Sequence, residues 1–161
     1  MNKRQKVYRH EKKYTLTWQA FVGINHKLKH ILRRDPHCPP EGYEVKSLYF
    51  DNPYDHALME KVHGDDQRHK YRIRVYNNDF DHMKLEKKSK DNVMTQKDSM
   101  YITLAEARRL ASGNADFLCQ REDSFAQTFH YKVAHEKLSP KVIVKYTRLA
   151  YTYPVVGGKI K

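Results

Sequence analysis

Apolar and polar residues alternate along two segments in the middle of the chain, residues 69–77 and 82–90. Because successive side chains of a β-strand point to opposite faces of a sheet, this alternation predicts two strands. The first segment divides into a charged face and an apolar face: Lys70, Arg72 and Arg74 against Tyr71, Ile73 and Val75. The apolar face indicates packing into a core, so the charged face would hold a fixed position.

The same pattern analysis predicts the remaining elements of an α+β fold. Further strands are predicted at residues 6–14, 43–50, 92–98 and 140–151. Helical spacing of apolar residues predicts helices from Trp18 to about residue 32, at 54–62, after Thr103 and at 116–136, with Trp18 in the core. Thr17 is a predicted cap of the first helix, and Thr103 with Glu106 forms a predicted capping box at the start of the third. Strands that cluster with helices between hairpins are typical of α+β domains, and a barrel-like antiparallel sheet would accommodate them.

Composition and charge limit the partners. The chain has 161 residues and a formal net charge of +12, which predicts a polyanionic partner: nucleic acid, an acidic membrane surface or phosphate chains. No apolar run approaches the roughly 20 residues of a membrane span, and the charged N-terminus does not look like a signal peptide. Two isolated cysteines, Cys38 and Cys119, fit a reducing compartment, so we expect a cytoplasmic protein.

The charged strand faces have two interpretations that the sequence pattern leaves open. Pointing outward, they would form an ordinary basic surface; pointing into a closed barrel, they would line a cationic tunnel, where a low dielectric constant strengthens each contact with phosphate. Alternation cannot separate the two, because a register shift of one residue exchanges the faces of a strand.

Several short motifs occur in one order along almost the whole chain. They are Arg9-His10-Glu11-Lys12-Lys13-Tyr14, Ser47-Leu48-Tyr49-Phe50-Asp51, Arg72-Ile73-Arg74-Val75-Tyr76, Leu85-Glu86-Lys87-Lys88, then Lys97, then Pro140 through Tyr146-Thr147-Arg148. This ordered set resembles the VTC domain (vacuolar transporter chaperone), the polyphosphate polymerase branch of the CYTH or triphosphate tunnel metalloenzyme superfamily.

The resemblance implies an antiparallel tunnel barrel that transfers the γ-phosphate of ATP to a growing polyphosphate chain. ATP and inorganic polyphosphate would be the partners, with a divalent metal, Mn²⁺ or Mg²⁺, as cofactor. The phosphate-binding residues that it implies are Lys13, Arg72, Arg74, Lys88, Lys97, Tyr146 and Arg148. Of these, Lys13, Arg72, Arg74, Lys88 and Arg148 would be catalytic. Glu11 and Glu86 are the candidate metal ligands, although each could instead orient a neighbouring lysine.

The sequence departs from the family pattern after Arg148. There the family continues with further strands that carry another arginine, a metal-binding glutamate and a late lysine, whereas this sequence ends at Lys161. We count six predicted strands, and a closed tunnel needs about eight. We therefore expect one VTC-like domain over residues 1–161 without its usual C-terminal strands, and an open sheet edge at which a second copy could pair.

Two alternatives to a polyphosphate polymerase-like enzyme remain at this point. One is a non-catalytic module that binds polyphosphate or another polyanion on the same fold. The other is an RNA-binding domain, for which the charge and the interleaved tyrosines and arginines would be suitable. No RRM, KH or zinc signature supports specific nucleic-acid binding.

Overall fold

The computed structural model describes residues 9–155 and 158–160, and among them it has nine strands and four α-helices. The elements in chain order are β1 (Arg9–His10), α1 (Trp18–Ile31), β2 (Arg33–Arg34), β3 (Tyr43–Asp51), α2 (His56–His63), β4 (Gln67–Tyr76), β5 (Met83–Asp91), β6 (Met94–Ile102), α3 (Leu104–Ala111), α4 (Ser124–Glu136), β7 (Ser139–Arg148), β8 (Tyr151–Val155) and β9 (Gly158–Ile160). The predicted α+β class, with helices inserted between strands, is confirmed.

Six strands form the main sheet, in the order β1-β6-β5-β4-β3-β7. Four neighbouring pairs are antiparallel: β1 with β6, β6 with β5, β5 with β4, and β4 with β3. Within the described residues the sheet is open, with β1 and β7 at its edges. This agrees with the expectation of a tunnel-type antiparallel sheet that is incomplete.

One face of the main sheet packs against helices to form the core. Antiparallel register places Ile73 opposite both Leu48 and Leu85, so these side chains share that face. Leu85 is fully buried, as is Phe129 of α4, whose ring packs edge-on against Phe50 with centroids 5.3 Å apart. The hydrophobic effect therefore holds this face to α3 and α4.

The described residues form two compact units. The first contains residues 9–11 and 45–145, and with them most of the main sheet, α2, α3 and α4. The second contains residues 12–44 and the described residues from 146 onward. That the chain works as one VTC-like domain stays a prediction.

The second unit contains α1 and a small sheet in the order β2-β8-β9. The side-chain oxygen of Thr17 accepts a hydrogen bond from the backbone N–H of Ala20, so α1 begins where its capping residue predicts. No residue of α1 is buried, and Trp18 is 75% exposed. The expectation that Trp18 packs in a core is therefore wrong. No described helix has the length and apolar character that a membrane-spanning helix needs.

The predicted strand at 6–14 is much shorter in the structure. β1 covers only Arg9–His10, residues 6–8 lie outside the described part, and the segment around Lys13 has no regular structure. The register explains this: His10 pairs with Met94, the first residue of β6, so Glu11 has no strand residue opposite it.

The single helix predicted at 116–136 is divided in two. A short 3-10 turn at Asp116–Leu118 precedes α4, and the Asp123 carboxylate starts α4 by accepting hydrogen bonds from the N–H groups of Phe125 and Ala126. Asp123 is a strong N-terminal cap, which apolar periodicity alone does not reveal.

Candidate functional site

The face of the main sheet opposite to α3 and α4 carries most of the predicted site residues of the first unit. In β4 the side chains alternate, so Arg72 and Arg74 lie on the face opposite to Tyr71 and Ile73. The strand register places residues of β3, β5 and β6 beside these arginines on the same face. We call this set the cationic face: Ser47, Tyr49, Arg68, Lys70, Arg72, Arg74, Lys84, Glu86, Lys88, Lys90, Lys97 and Ser99.

Glu86 lies at the centre of the cationic face and is fully buried. Its Oε2 accepts a hydrogen bond from Arg72 Nε at 2.8 Å and lies 2.8 Å from another guanidinium nitrogen of Arg72. Lys97 Nζ donates to Oε1 at 3.0 Å, and a terminal nitrogen of Arg74 lies 3.7 Å from Oε2. One carboxylate thus gathers three cations from two strands, β4 and β6.

The pKa values follow from this clustering. Burial by itself would raise the pKa of Glu86, but the charges of Arg72, Arg74 and Lys97 outweigh it and hold the pKa below its ordinary value. Burial by itself would lower the pKa of Arg72, yet the Glu86 carboxylate and Tyr49 raise it overall. Both groups are therefore charged across the physiological pH range.

Neutral side chains from β3 and β4 fix the arginines further. Arg72 donates to the hydroxyl of Tyr49 at 3.0 Å, and Arg74 donates from Nε to the hydroxyl of Ser47 at 3.2 Å. The hydroxyl of Tyr76 accepts from Arg74 at 3.5 Å. Sequence reasoning did not assign these three partners to the site. The i, i+2 spacing of Ser47 and Tyr49 was the signal that could have found two of them.

The lysines supply charge that is easier to reach than that of the arginines. The side chain of Lys97 is 48% exposed and that of Lys88 is 29% exposed, whereas those of Arg72 and Arg74 are about 10% exposed. Lys88 pairs with the carboxylate of Glu11. The face therefore combines fixed, buried guanidinium groups with more accessible ammonium groups.

Three predicted site residues belong to the second unit. Lys13 lies in the exposed irregular segment before α1, and not in a strand, which corrects the predicted position in strand 6–14. Tyr146 and Arg148 lie at the exposed end of β7. That these three join the cationic face stays a prediction.

A close backbone contact within the second unit holds the segment that carries Arg148. Gly42 has a φ of +90°, and a Cβ at this position would come within 2.7 Å of the carbonyl oxygen of Arg148. Cys38 is buried, and its Sγ lies 3.3 Å from the backbone N–H of Ala150. A side chain larger than hydrogen at residue 42 would therefore displace the end of β7.

The predicted metal ligands do not form a suitable site as they stand. The carboxylate oxygens of Glu86 already contact three cations, which would repel a divalent ion, and Glu11 is paired with Lys88. In the described ranges, no three His, Cys, Asp or Glu side chains come together to hold a metal. We therefore derive no chemical step through a metal, and the Mn²⁺ or Mg²⁺ cofactor stays a prediction.

Comparison with known families identifies the domain to which the face belongs. The family model of the VTC domain matches residues 8–160, which is nearly the whole chain. No curated protein matches the sequence significantly.

Proposed function

Because the chain belongs to the VTC domain family, we propose that it binds ATP and inorganic polyphosphate on the cationic face and transfers the γ-phosphate of ATP to a growing polyphosphate chain. Membership in this family supports a relation between the chain and polyphosphate polymerases. The substrates, the reaction and the roles of the individual residues are the proposal.

The observation that carries the proposal is the fixed pair of guanidinium groups around Glu86. Arg72 and Arg74 are both buried, and each is held by hydrogen bonds to neighbouring strands. The contacts of Arg74 to Ser47 and Tyr76 occupy two of its five N–H donors, which leaves others for phosphate oxygens. An arginine held in this way loses little conformational entropy when it binds phosphate.

This arrangement suits the chemistry of phosphoryl transfer. That reaction needs positioning of the reactants and stabilisation of charge on the non-bridging oxygens more than covalent catalysis by the protein. In the proposed reaction the acceptor phosphate oxygen attacks the γ-phosphorus of ATP, the bond to the β-phosphate oxygen breaks, and ADP leaves. Arg74, Lys88 and Lys97 would neutralise the oxygens, while Arg72 would hold Glu86 in place.

The test is incubation of the protein with ATP and Mn²⁺, followed by gel electrophoresis stained for polyphosphate. The active protein would produce a ladder of chains, and the double variant Arg72→Ala with Arg74→Ala would not. A control variant, Arg108→Ala with Arg109→Ala, removes the same charge from α3 on the helix side. If the protein with Arg72→Ala and Arg74→Ala still synthesises polyphosphate, the active groups lie elsewhere.

The alternative is a polyphosphate-binding module without catalytic activity. The occupied carboxylate of Glu86 and the lack of a three-ligand metal cluster in the described part of the chain favour this alternative. Tight binding of polyphosphate without ladder formation, in Mn²⁺ and in Mg²⁺, would establish it.

Self-association at a sheet edge also stays a prediction. β7 lies at one edge of the described main sheet, and Val142, Ile143 and Val144 are exposed on it. Edge strands of this kind can pair with another chain. Light scattering of the purified protein over a range of concentrations would show whether a dimer forms.

A further inference from the structure

The cations of β4 continue beyond the two arginines that the family motif covers. Arg68, Lys70, Arg72 and Arg74 occupy alternate positions, so they lie on one face of one strand. With a rise of about 3.3 Å per residue, this row is about 20 Å long. The resemblance assigns phosphate contacts to Arg72 and Arg74 only, so half of the row has no assigned role.

The strand register places further cations beside Arg68 and Lys70, the half of the row without an assigned role. Lys70 lies opposite Lys88, Lys88 lies opposite Lys97, and Arg68 lies opposite Lys90. Like charges directly opposite each other in an antiparallel sheet destabilise it. Glu11 pairs with Lys88 and Glu86 pairs with Lys97, which offsets part of this repulsion, and an anionic ligand beside Lys70, Arg68 and Lys90 would offset more of it.

Helix α2 adds another cation to the same end of the face. The Asp51 carboxylate accepts hydrogen bonds from the N–H groups of Ala57 and Leu58, and Glu60 accepts one from the N–H of His69. These contacts dock α2 against β3 and β4. Because Glu60 contacts the residue before Lys70, the next residue of α2, Lys61, lies at this end of the face.

Lys70 is half-buried among charges of both signs. Its pKa is lowered, first by burial and then by the charges of Lys61 and Arg68, although Tyr49 and Asp51 act in the opposite direction. The carboxylate of Asp51 is already engaged with the start of α2.

We propose that Lys70, Arg68 and Lys61 form a second anion subsite, which extends the cationic face and makes the protein favour long polyphosphate over triphosphate. The inference rests on the proposed function, because it concerns the same face. A triphosphate is short enough to be neutralised around Arg72, Arg74 and Lys97. Lys70 lies four residues, about 13 Å, from Arg74 along β4, so only a chain longer than a triphosphate contacts both, and the additional binding energy is available to long chains alone.

The test compares binding of tripolyphosphate and of a long-chain polyphosphate by isothermal titration calorimetry in metal-free buffer. In the variant Lys70→Gln, affinity for the long chain should fall about tenfold, as expected for the loss of one charge-assisted contact, and affinity for tripolyphosphate should change less than about twofold. The control Lys87→Gln removes the same charge from the opposite face of β5 and should change neither affinity.

The outcomes separate this inference from the proposed function. Three results would overturn the second subsite and leave polyphosphate binding intact. Lys70→Gln could weaken the binding of both ligands equally, it could weaken neither, or Lys87→Gln could cause the same loss of affinity for the long chain. A wild-type protein that binds neither ligand would overturn both proposals. Circular dichroism of each variant would confirm that the fold is unchanged, and Lys70→Ala provides a second variant if Gln disturbs it.

Discussion

The two faces of the central strands are buried by different physical means. On the helix-covered face, Ile73 and Leu85 are buried by apolar side chains of α3 and α4. On the cationic face, Arg72 and Glu86 are buried to a similar degree, but by each other and by polar neighbours. The first face gains free energy by leaving water, whereas the second loses hydration that its ion pairs must replace.

This difference separates stability from function. Buried ion pairs often contribute little more to stability than apolar residues of the same volume would. A cluster of this kind is therefore weak evidence for a stabilising role, and the net positive charge around one carboxylate suits the proposed binding of an anion. The helix-covered face should accordingly control the free energy of unfolding, and the cationic face should control affinity.

The largest effect on stability is expected at Phe129. Its ring is fully buried between Phe50 and Tyr71, with centroids 5.3 and 5.5 Å away. Phe129→Ala should lower the free energy of unfolding by about 3–5 kcal/mol, because it leaves a cavity in the core. Urea denaturation would measure this. The control Phe80→Ala, at a site that is 45% exposed, should cost no more than about 0.5 kcal/mol.

A smaller loss is expected at the centre of the cationic face. Glu86→Gln keeps the shape of the side chain but removes the charge that holds Arg72 and Lys97. The free energy of unfolding should fall by about 2–3 kcal/mol in the same urea experiment. Glu11→Gln, which removes an exposed ion pair with Lys88, should cost about 1 kcal/mol or less. Equal costs for the two variants would mean that Glu86 does not organise the face.

The pH dependence of stability should distinguish the two faces further. The pKa of Glu86 is lower in the folded protein than its ordinary value of about 4.3, so its contribution is fully present at neutral pH. The contribution is lost as the pH falls below about 4.3 and through the lower pKa of the folded state. Wild-type protein should therefore lose more stability on acidification than Glu86→Gln, as measured by urea titrations at several pH values. Parallel curves would contradict this.

Sequence patterns predicted the parts of the structure that depend on local rules. Alternation separated Arg72 from Ile73, and the Thr103 and Glu106 pair predicted the capping box at the start of α3, which both of its hydrogen bonds confirm. The family resemblance identified the residues around which the face is organised. These features need only the spacing of residues along one segment.

Features that depend on contacts between distant segments could not be predicted in this way. Lys13 lies outside a strand because β6 begins at Met94 and offers no partner beyond His10. Apolar spacing suggested that Trp18 is buried, but spacing cannot show whether another element covers the helix. The sequence left Glu86 either as a metal ligand or as a partner of basic residues, and only the structure shows the three cations around it.

The most direct measurement is a titration of long-chain polyphosphate into the protein in metal-free buffer. Wild-type protein and the control Arg108→Ala with Arg109→Ala should bind with the same affinity, and Arg72→Ala with Arg74→Ala should lose most of it. The variant Arg72→Lys with Arg74→Lys leaves the net charge unchanged and keeps cations beside the buried Glu86 carboxylate, so it serves as a second test if the alanine variant unfolds. It should also bind weakly, because it lacks the fixed guanidinium groups. Unchanged affinity in either variant of the cationic face, with its fold intact, would contradict the assignment of polyphosphate binding to this face.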